Sequence, residues 1–589
     1  MLRRLKILLL FQIIFSTFLY SQTIGSINIS GNKNFKQSDY LEWINISPGQ
    51  RLFSGIKDTL KKRISFNLNQ RGFFHYKITK PSIDTTEEGK NNVDITVNIK
   101  EGEPTYLKNI FVQNISKADS DFVISSFNNL SGEIFNKYDL ENTISDVLTY
   151  YENNGNPFAV IKLKTLNFYT DSTTNKNFAD LFLSIDSKKK STIDKIEILG
   201  NKKTKENVIV RELRILSGQE YSQQKINLLP ERLNKLGFFQ PVQKPKYYIN
   251  SKGEGVLSFK VKEIQTNNFD GIIGYIPGSA PNVSGYVTGL INLKMRNLFG
   301  TGREASIKWK RLDRSSQLLD LNYLEPWVLG MPVNISTRIF QRKQDSSYVQ
   351  RTFDISLQYL ATDVLSAGVT LSFESVIPTD NGTQRFTVFN STIVNTGLNL
   401  KLDTRNDLYS PSKGILFVNS YSFRKKTING PSQFIAPTTA TNINLQKLEL
   451  SFDAYFSFID RQVLAVKLHG AELRGPFFET SDLFRMGGFN SLRGYKEDQF
   501  LGSRIIWSNL EYRFLLTNRT YFFVFLDNGY FLRKEDKNRN IPKIDGYKTG
   551  YGLGINLETS LGILGVSFAL GQGDSFSDGK IHFGIVNNF

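Results

Sequence analysis

Two residue types that often perform catalysis, cysteine and histidine, are absent or rare in this 589-residue chain, and its many carboxylates form no recognisable catalytic motif. It has no cysteine and three widely separated histidines, His75, His469 and His582. A chain without cysteine has no disulfide, no thiolate metal site and no cysteine nucleophile. The HExxH motif of metalloproteases, the GxSxG turn of serine hydrolases and the P-loop do not occur in the sequence. We therefore predict no enzyme activity, no metal site and no cofactor.

One glycine pattern has the spacing of a nucleotide-binding loop. Gly300, Gly302 and Ala305 fit GxGxxA. In such a loop the glycines precede a helix whose N-terminus holds the phosphates, whereas here an alternating, charged segment follows. A nucleotide site is therefore a poor interpretation, and a turn between two strands is the better one.

Residues 1–21 have the pattern of a secretory signal peptide. Basic residues precede an apolar run from Ile7 to Leu19, and the small Ser21 allows cleavage before the next residue. The apolar run is shorter than the ~20 residues that a membrane-spanning helix needs. We therefore expect an exported protein. Its net charge of +18 favours lipid head groups or acidic clients as partners over nucleic acid, for which the chain has no recognition motif.

Two stretches of the first half repeat. INISGNKNF begins the first copy and IEILGNKKT begins the second, and both place a Gly-Asn turn after a strand, at Gly31 and Asn32 and at Gly200 and Asn201. Each copy continues with two helical stretches and returns as alternating strands. A fainter copy without the Gly-Asn pair lies between them. The pattern predicts three α+β modules of the order βααββ, over residues 22–103, 104–190 and 191–266.

The second half, residues 267–589, is patterned as strands. Leu448, Leu450 and Phe452 alternate with Lys447 and Glu449, and similar segments of about ten residues recur between polar turns. Such strands have one apolar face and one charged face. In an exported chain without apolar helices, these segments favour an all-β transmembrane barrel of about 16 antiparallel strands over a soluble sandwich.

These features resemble one superfamily over nearly all of the chain after residue 21. The modules resemble POTRA domains, and the SLRGY core of MGGFNSLRGYKEDQF resembles the (V/L)RG(F/Y) loop motif of outer-membrane assembly factors of the BamA/TamA type. The resemblance implies periplasmic βααββ modules followed by an outer-membrane β-barrel. It also implies a loop that folds back into the lumen of that barrel.

By this resemblance, Arg493, Gly494 and Tyr495 form the loop motif. Glu511, in SNLEYR, and Asp527, in FLDNG, match the two strands that follow. An arginine in a partly dry lumen needs carboxylate partners, and its planar fork can bind them bidentately. The resemblance therefore implies an ionic lock that joins Arg493 to Glu511 and Asp527.

The resemblance also implies a weak lateral seam between the first and last strands, at which a client strand can pair. The residues placed at this seam are Phe269, Gly271, Gly274, Tyr275, Ile581, Phe583 and Phe589. The implied function is the assembly of outer-membrane proteins. Its partners are unfolded clients, periplasmic or lipoprotein accessory factors, and outer-membrane lipid. A two-partner-secretion translocator and a passive pore remain alternatives.

Overall fold

The computed structural model describes residues 22–585, except 86–91, 277–283, 312, 346, 380–387, 433–434, 436, 438, 537–540 and 560–561. The predicted signal peptide, residues 1–21, and the seam residue Phe589 lie outside the described residues. The chain divides into two compact units. The first comprises the described residues up to Ile193 together with residues 218–225, and the second comprises residues 194–217 and the chain from Ile226 onward.

The first module of the first unit is a small sheet covered by two helices. Strands β1 and β4 pair in parallel at its centre, and β2 and β3 pair antiparallel with β4. The second helix places a buried apolar residue at every fourth position, which makes one continuous stripe facing the sheet. The elements are β1 (Thr23–Ser30), α1 (Gln37–Ile44), α2 (Ile56–Gln70), β2 (Lys77–Ile78), β3 (Ser82–Thr85) and β4 (Asn92–Lys100).

The second module repeats this plan with the strand order β5-β7-β6. Strand β5 is parallel to β7, and β6 forms the antiparallel edge. The elements are β5 (Thr105–Gln113), α3 (Ser120–Asn128), α4 (Lys137–Asn153), β6 (Val160–Thr170) and β7 (Asn177–Asp186). A short antiparallel pair, β8 (Thr192–Ile193) with β10 (Gln219–Glu220), also belongs to the first unit.

The third module repeats the plan again, with β12 between β9 and β11. Its elements are β9 (Lys195–Leu199), α5 (Glu206–Leu213), α6 (Gln223–Lys235), β11 (Lys246–Ile249) and β12 (Gly255–Lys260). Strand β9 is parallel to β12, and β11 is antiparallel to it. The order βααββ is thus confirmed, with the two-residue strand β2 as an addition in the first module.

A sixteen-stranded sheet forms most of the second unit, and every neighbouring pair along it is antiparallel. This confirms the predicted strand number and class. Within the described residues β13 and β30 have no register with each other, so the sheet is not closed. The strands are β13 (Asn267–Ile276), β14 (Tyr286–Leu298), β15 (Arg303–Arg311), β16 (Gln317–Glu325), β17 (Val333–Gln344), β18 (Tyr348–Leu360), β19 (Leu365–Pro378), β20 (Asn390–Asp403), β21 (Gly414–Gly430), β22 (Asn442–Ile459), β23 (Gln462–Arg474), β26 (Arg504–Leu515), β27 (Tyr521–Arg533), β28 (Ile544–Thr559), β29 (Gly562–Gly571) and β30 (Lys580–Ile585).

The two faces of this sheet differ in chemistry. On β18, Phe353, Leu357 and Tyr359 are 40–54% exposed and point to one face, here called the outer face. The even-numbered residues that alternate with them point to the opposite, inner face, where ion pairs such as Arg338 with Asp320 join neighbouring strands at 2.8 Å. An apolar outer face and a charged inner face are typical of strands that cross a membrane around a wet interior. No helix in the described part of the chain is long and apolar enough to span a bilayer.

Within the second unit, the turn with the GxGxxA spacing contacts the third module. The Asn297 side chain donates to Thr204 Oγ1 at 2.8 Å, and the backbone N–H of Lys205 donates to the carbonyl of Gly300 at 2.9 Å. A Cβ on Gly300 would lie 1.9 Å from the carbonyl oxygen of Lys203. The glycine therefore allows close backbone contact with the module, as expected of a turn between strands and not of a phosphate loop.

Candidate functional site

The loop between β23 and β26, residues 475–503, lies on the inner face of the sheet. It contains a short hairpin of β24 (Phe484–Met486) and β25 (Phe500–Gly502). Its tip, residues 491–495, is buried. On β26 the residues that alternate with the exposed outer-face residues Leu510 and Tyr512 point toward this tip. The strand alternation that produces two faces thus also turns charged side chains toward the loop.

Arg493 lies between two carboxylates at this tip. Its Nε and Nη2 donate to Asp527 Oδ2 and Oδ1, each at 2.8 Å, and Nη1 donates to Glu511 Oε1 at 2.8 Å. The backbone N–H of Arg493 also donates to Asp527, at 3.0 Å. Arg493, Glu511 and Asp527 are 5%, 7% and 0% exposed, and the guanidinium carbon lies 3.6 Å from the ring centroid of Phe525. The structure therefore brings together the three charged residues placed in the lock.

A second arginine completes the charge balance, and sequence reasoning did not single it out. Arg513 donates through Nε and Nη2 to Glu511 Oε2, at 2.9 and 2.7 Å. It is 4% exposed, so the cluster holds two buried cations against two buried carboxylates. Because Arg513 is two residues beyond Glu511, period-2 alternation puts both on one face, and this spacing was the signal available.

Gly494 and Tyr495 fit the tip against the last strands of the sheet. Gly494 has a φ of +91°, and a Cβ there would lie 2.7 Å from the carbonyl oxygen of Leu570. The Tyr495 hydroxyl donates to the carbonyl of Thr549 and accepts from the N–H of Gln572, both at 3.0 Å. Gly494 thus lets the loop tip approach the backbone of β29 closely. The Tyr495 hydroxyl bonds to backbone groups of β28 and of the residue that follows β29.

A separate ionic cluster holds the start of the same loop. Lys426 Nζ, on β21, lies 2.6 Å from both Glu479 Oε2 and Asp482 Oδ2, and the three side chains are 0–1% exposed. Glu479 also accepts from the backbone N–H of Phe389 at 2.8 Å. The sequence contained no sign of this cluster, because Lys426 is more than fifty residues from either carboxylate and matches no motif.

The residues placed at the seam lie on strands at opposite ends of the sheet order. Phe269 and Tyr275, on β13, are 55% and 67% exposed, and Ile581 and Phe583, on β30, are 74% and 54% exposed. These four point to the outer face. Gly271 and Gly274 also lie on β13, where they pair with β14.

The turn residues of the modules allow close backbone contact. A Cβ on Gly31 would lie 2.3 Å from the carbonyl oxygen of Ile99, and one on Gly200 would lie 2.2 Å from that of Val261. The Asn32 side chain then donates to the carbonyl of Phe35 at 2.7 Å. Asn201 does the same with Thr204 at 3.2 Å. In the middle module Asn114, with a φ of +62°, stands where the other modules have glycine.

A glutamate supports each Gly-Asn turn, buried in the first module and half-buried in the third, a feature that sequence reasoning missed. Glu101 accepts from the backbone N–H and side chain of Asn34 at 2.6 and 2.7 Å, and from the Tyr40 hydroxyl at 2.7 Å. In the third module Glu263 accepts from the backbone N–H of Thr204 at 2.6 Å. The signal was the Lys-Glu pair at the end of both copies, Lys100-Glu101 and Lys262-Glu263, where the last strand ends or has just ended.

We expect Glu101→Gln to destabilise the first module. Burial alone would raise the pKa of Glu101, but hydrogen bonds from Tyr40 and Asn34 outweigh burial and lower it. A lowered native pKa means that the ionised carboxylate stabilises the fold above the ordinary glutamate pKa of about 4.3, and that this contribution is lost as the pH falls through the lowered value. The substitution should therefore cost about 1.5–3 kcal/mol at neutral pH.

Hydrogen exchange of residues 22–103 in the full chain, measured across a urea series, checks this expectation. The matched control is Glu103→Gln, because Glu103 is exposed two residues away. The difference between wild type and Glu101→Gln should shrink as the pH falls below about 4. Equal stability of the two variants at neutral pH would contradict the role given to Glu101.

Neither metal binding nor a nucleotide site is apparent in the described residues. No group of three or more His, Cys, Asp and Glu side chains is placed there to hold a metal ion. The buried charged side chains of the site instead form two ionic clusters, one at Arg493 and one at Lys426. Both join side chains of one loop to strands of the sheet.

Comparison with known proteins agrees with this architecture. The Omp85 superfamily domain matches residues 297–589, and the POTRA family, described as a surface antigen variable number repeat, matches residues 22–102 and 191–264. The outer membrane protein assembly factor BamA of Nitratidesulfovibrio vulgaris is 24% identical over 83% of this chain and 63% of its own length. BamA of Neisseria meningitidis serogroup B is 22% identical over 60% of this chain and 43% of its own length.

Among solved structures, CdiB from Escherichia coli has a TM-score of 0.51, with 12% identity over 90% of this chain and 97% of that chain. This likeness concerns the fold alone. The chain spans less than two thirds of the length of the two BamA relatives. The chain belongs to the Omp85 superfamily, with its POTRA modules in the periplasm and its strand-rich domain in the outer membrane.

Proposed function

We propose that this chain is an outer-membrane protein assembly factor. Three POTRA modules, over residues 22–103, 104–190 and 191–266, receive unfolded clients in the periplasm. The sheet of residues 267–589 then assists their insertion or translocation. The observation that carries this proposal is the unjoined pair of end strands, β13 and β30, within the described part of the sheet.

The end strands can act as a template for a client strand. Unpaired backbone N–H and C=O groups are costly in lipid, because no water is present to bond them. A client strand that pairs with such an edge satisfies its own groups and those of the edge together. Four side chains on these end strands point to the outer face, Phe269, Tyr275, Ile581 and Phe583. The client strand therefore pairs with the backbone edges of β13 and β30 and not with these side chains.

The POTRA modules present sheet edges for the earlier step, in which unfolded clients are received in the periplasm. Strand β6 is the edge of the second module, and its Leu163 and Phe168 are 57% and 51% exposed. An extended client segment can add to this edge through backbone hydrogen bonds while its apolar side chains contact these two residues. Periplasmic or lipoprotein accessory factors are proposed as further partners, and lipid is the partner of the outer face.

The loop of residues 475–503 is proposed to act as a lock inside the sheet. Arg493 joins it to β26 and β27 through Glu511 and Asp527. This arrangement positions a loop and presents no nucleophile or general base to a substrate, so we propose a function without enzyme activity. A passive pore is a weaker candidate, because the loop occupies the inner face that a pore would leave open.

Depletion of this protein in its host tests the proposal. We expect the abundance of other outer-membrane barrels to fall, and the remaining pool to lose its heat-modifiable mobility on gels, because unfolded clients no longer insert. Lipoproteins of the same membrane serve as the control, since they contain no client barrel. Unchanged levels and heat-modifiability of the other barrels would contradict assembly and leave the pore or a dedicated translocator.

A photoreactive residue at Tyr275 separates these alternatives in the same strain. An assembly factor should crosslink to several different barrel proteins, whereas a two-partner-secretion translocator should crosslink to one dedicated substrate. The matched position is Leu398, which is 60% exposed on the outer face of β20, in the middle of the sheet. Equal crosslinking from Tyr275 and Leu398 would argue against a seam at β13.

A further inference from the structure

The tip of the loop also contacts the last two strands, through a notch made by two glycines. Gly565 on β29 and Gly584 on β30 are paired directly in the sheet register. The ring of Phe489 lies against both, since a Cβ on Gly565 would lie 2.8 Å from its Cζ and one on Gly584 would lie 2.9 Å from its Cδ1 and Cε1. Any larger residue at either position would displace the ring.

A hydrogen bond joins the same two elements next to the notch. The backbone N–H of Gly494, in the loop motif, donates to Nε2 of His582 on β30 at 3.0 Å. Ile581 and Phe583 point outward, so strand alternation turns His582 and Gly584 inward, toward the loop. The ring nitrogen that accepts this bond carries no proton, so His582 is bound here as neutral imidazole.

We propose that Phe489 and His582 fasten the loop tip to the last strand, so that β30 leaves its resting position only when the loop tip withdraws. This inference rests on the proposed function, in which β30 borders the seam. Displacement of β30 alone would remove the acceptor of the buried Gly494 N–H, and it would open the notch under Phe489. An unmet buried donor and a lost packing contact are both unfavourable. The loop and the last strand therefore form one two-state element, and the Arg493 cluster biases it.

Reciprocity provides the test, because a coupling between two sites has the same size in both directions. Hydrogen exchange is measured on the full chain in lipid nanodiscs, at residues 487–500, which include the loop tip, and at the last hairpin (residues 562–585). Phe489→Ala, made in the loop, should accelerate exchange in the hairpin. His582→Leu, made in the hairpin, should accelerate exchange in the loop tip. We expect about a tenfold change in each distant segment.

Three controls make the result specific. His582→Gln should stay near wild type, because its amide oxygen can accept from Gly494. Asn490→Ala, at an exposed neighbour of Phe489, and Ile581→Val, on the outer face of β30, should leave both segments unchanged. Exchange in β18 and β19 reports whether the sheet is intact. If His582→Leu disturbs those strands, Gly584→Ala replaces it as the change made in the hairpin, since one added methyl group displaces the Phe489 ring.

The proposal is overturned if each substitution accelerates exchange only in its own segment while β18 and β19 stay protected. The measurement includes no client. A negative result therefore removes the coupling and leaves the assembly function standing, whereas a negative depletion result removes the function and leaves the coupling.

Discussion

We expect Arg493→Ala to release the loop tip from the inner face and to abolish most of the assembly function, while the sheet still inserts into the membrane. The substitution leaves Asp527, which is fully buried, with none of the guanidinium contacts that now neutralise it. Removing one partner of a buried ion pair costs about 3–5 kcal/mol. A loss of that size shifts the balance between docked and released loop by about a hundredfold or more.

Arg513 can compensate only part of the positive charge that Arg493→Ala removes from the cluster. Arg513 keeps Glu511 paired in the variant, but among the residues that the structure describes its guanidinium hydrogen-bonds to Glu511 and not to Asp527. Asp527 is therefore the group that carries the penalty. Arg493→Lys should restore little of the loop docking or of the assembly function. An ammonium cannot make the two parallel bonds that the guanidinium makes to Asp527.

Protease sensitivity of residues 475–503 in outer-membrane vesicles, together with the level of other outer-membrane barrels, checks this prediction. The matched control is Lys496→Ala, because Lys496 is an exposed cation three residues along the same loop. Heat-modifiability of the variant itself reports that its sheet has inserted. Full complementation by Arg493→Ala, with the loop still protected, would contradict the lock.

We expect Lys426→Met to loosen the start of the loop by a comparable free energy, about 3–5 kcal/mol. Glu479 and Asp482 would remain buried at 0–1% exposure without their shared cation. Methionine keeps the length and apolar stem of lysine, so the loss reports the charge and not a cavity. We therefore expect faster hydrogen exchange at residues 475–484, and local unfolding of these residues at a lower temperature than in the wild type.

Lys425→Met is the control for this second anchor. Lys425 is exposed on the opposite face of the same strand, so the pair of variants differs only in which face of β21 loses its charge. Unchanged exchange at residues 475–484 in Lys426→Met would show that the cluster does not hold the loop. Additive effects of Lys426→Met and Arg493→Ala would show that the two anchors act independently.

The two anchors differ in what the sequence reveals of them. Arg493, Glu511 and Asp527 were identifiable because they stand in short motifs in a fixed order. Lys426, Glu479 and Asp482 stand in no motif, and they meet only because β21 and the start of the loop are neighbours in three dimensions. The contact between Gly494 and His582 is hidden in the same way, since 88 residues separate its members.

The sequence by itself determined the βααββ modules, the strand-rich second half and the two faces of its strands, because helix and strand periodicities are local and can be counted along the chain. It also determined that Gly31 and Gly200 occupy equivalent turns. The tertiary structure alone decided which side chains meet. It placed Arg513 on Glu511, glutamates beneath the turns, and Phe489 over Gly565 and Gly584. Such contacts depend on strand register and loop path, which are set by the packing of the whole sheet and have no local pattern.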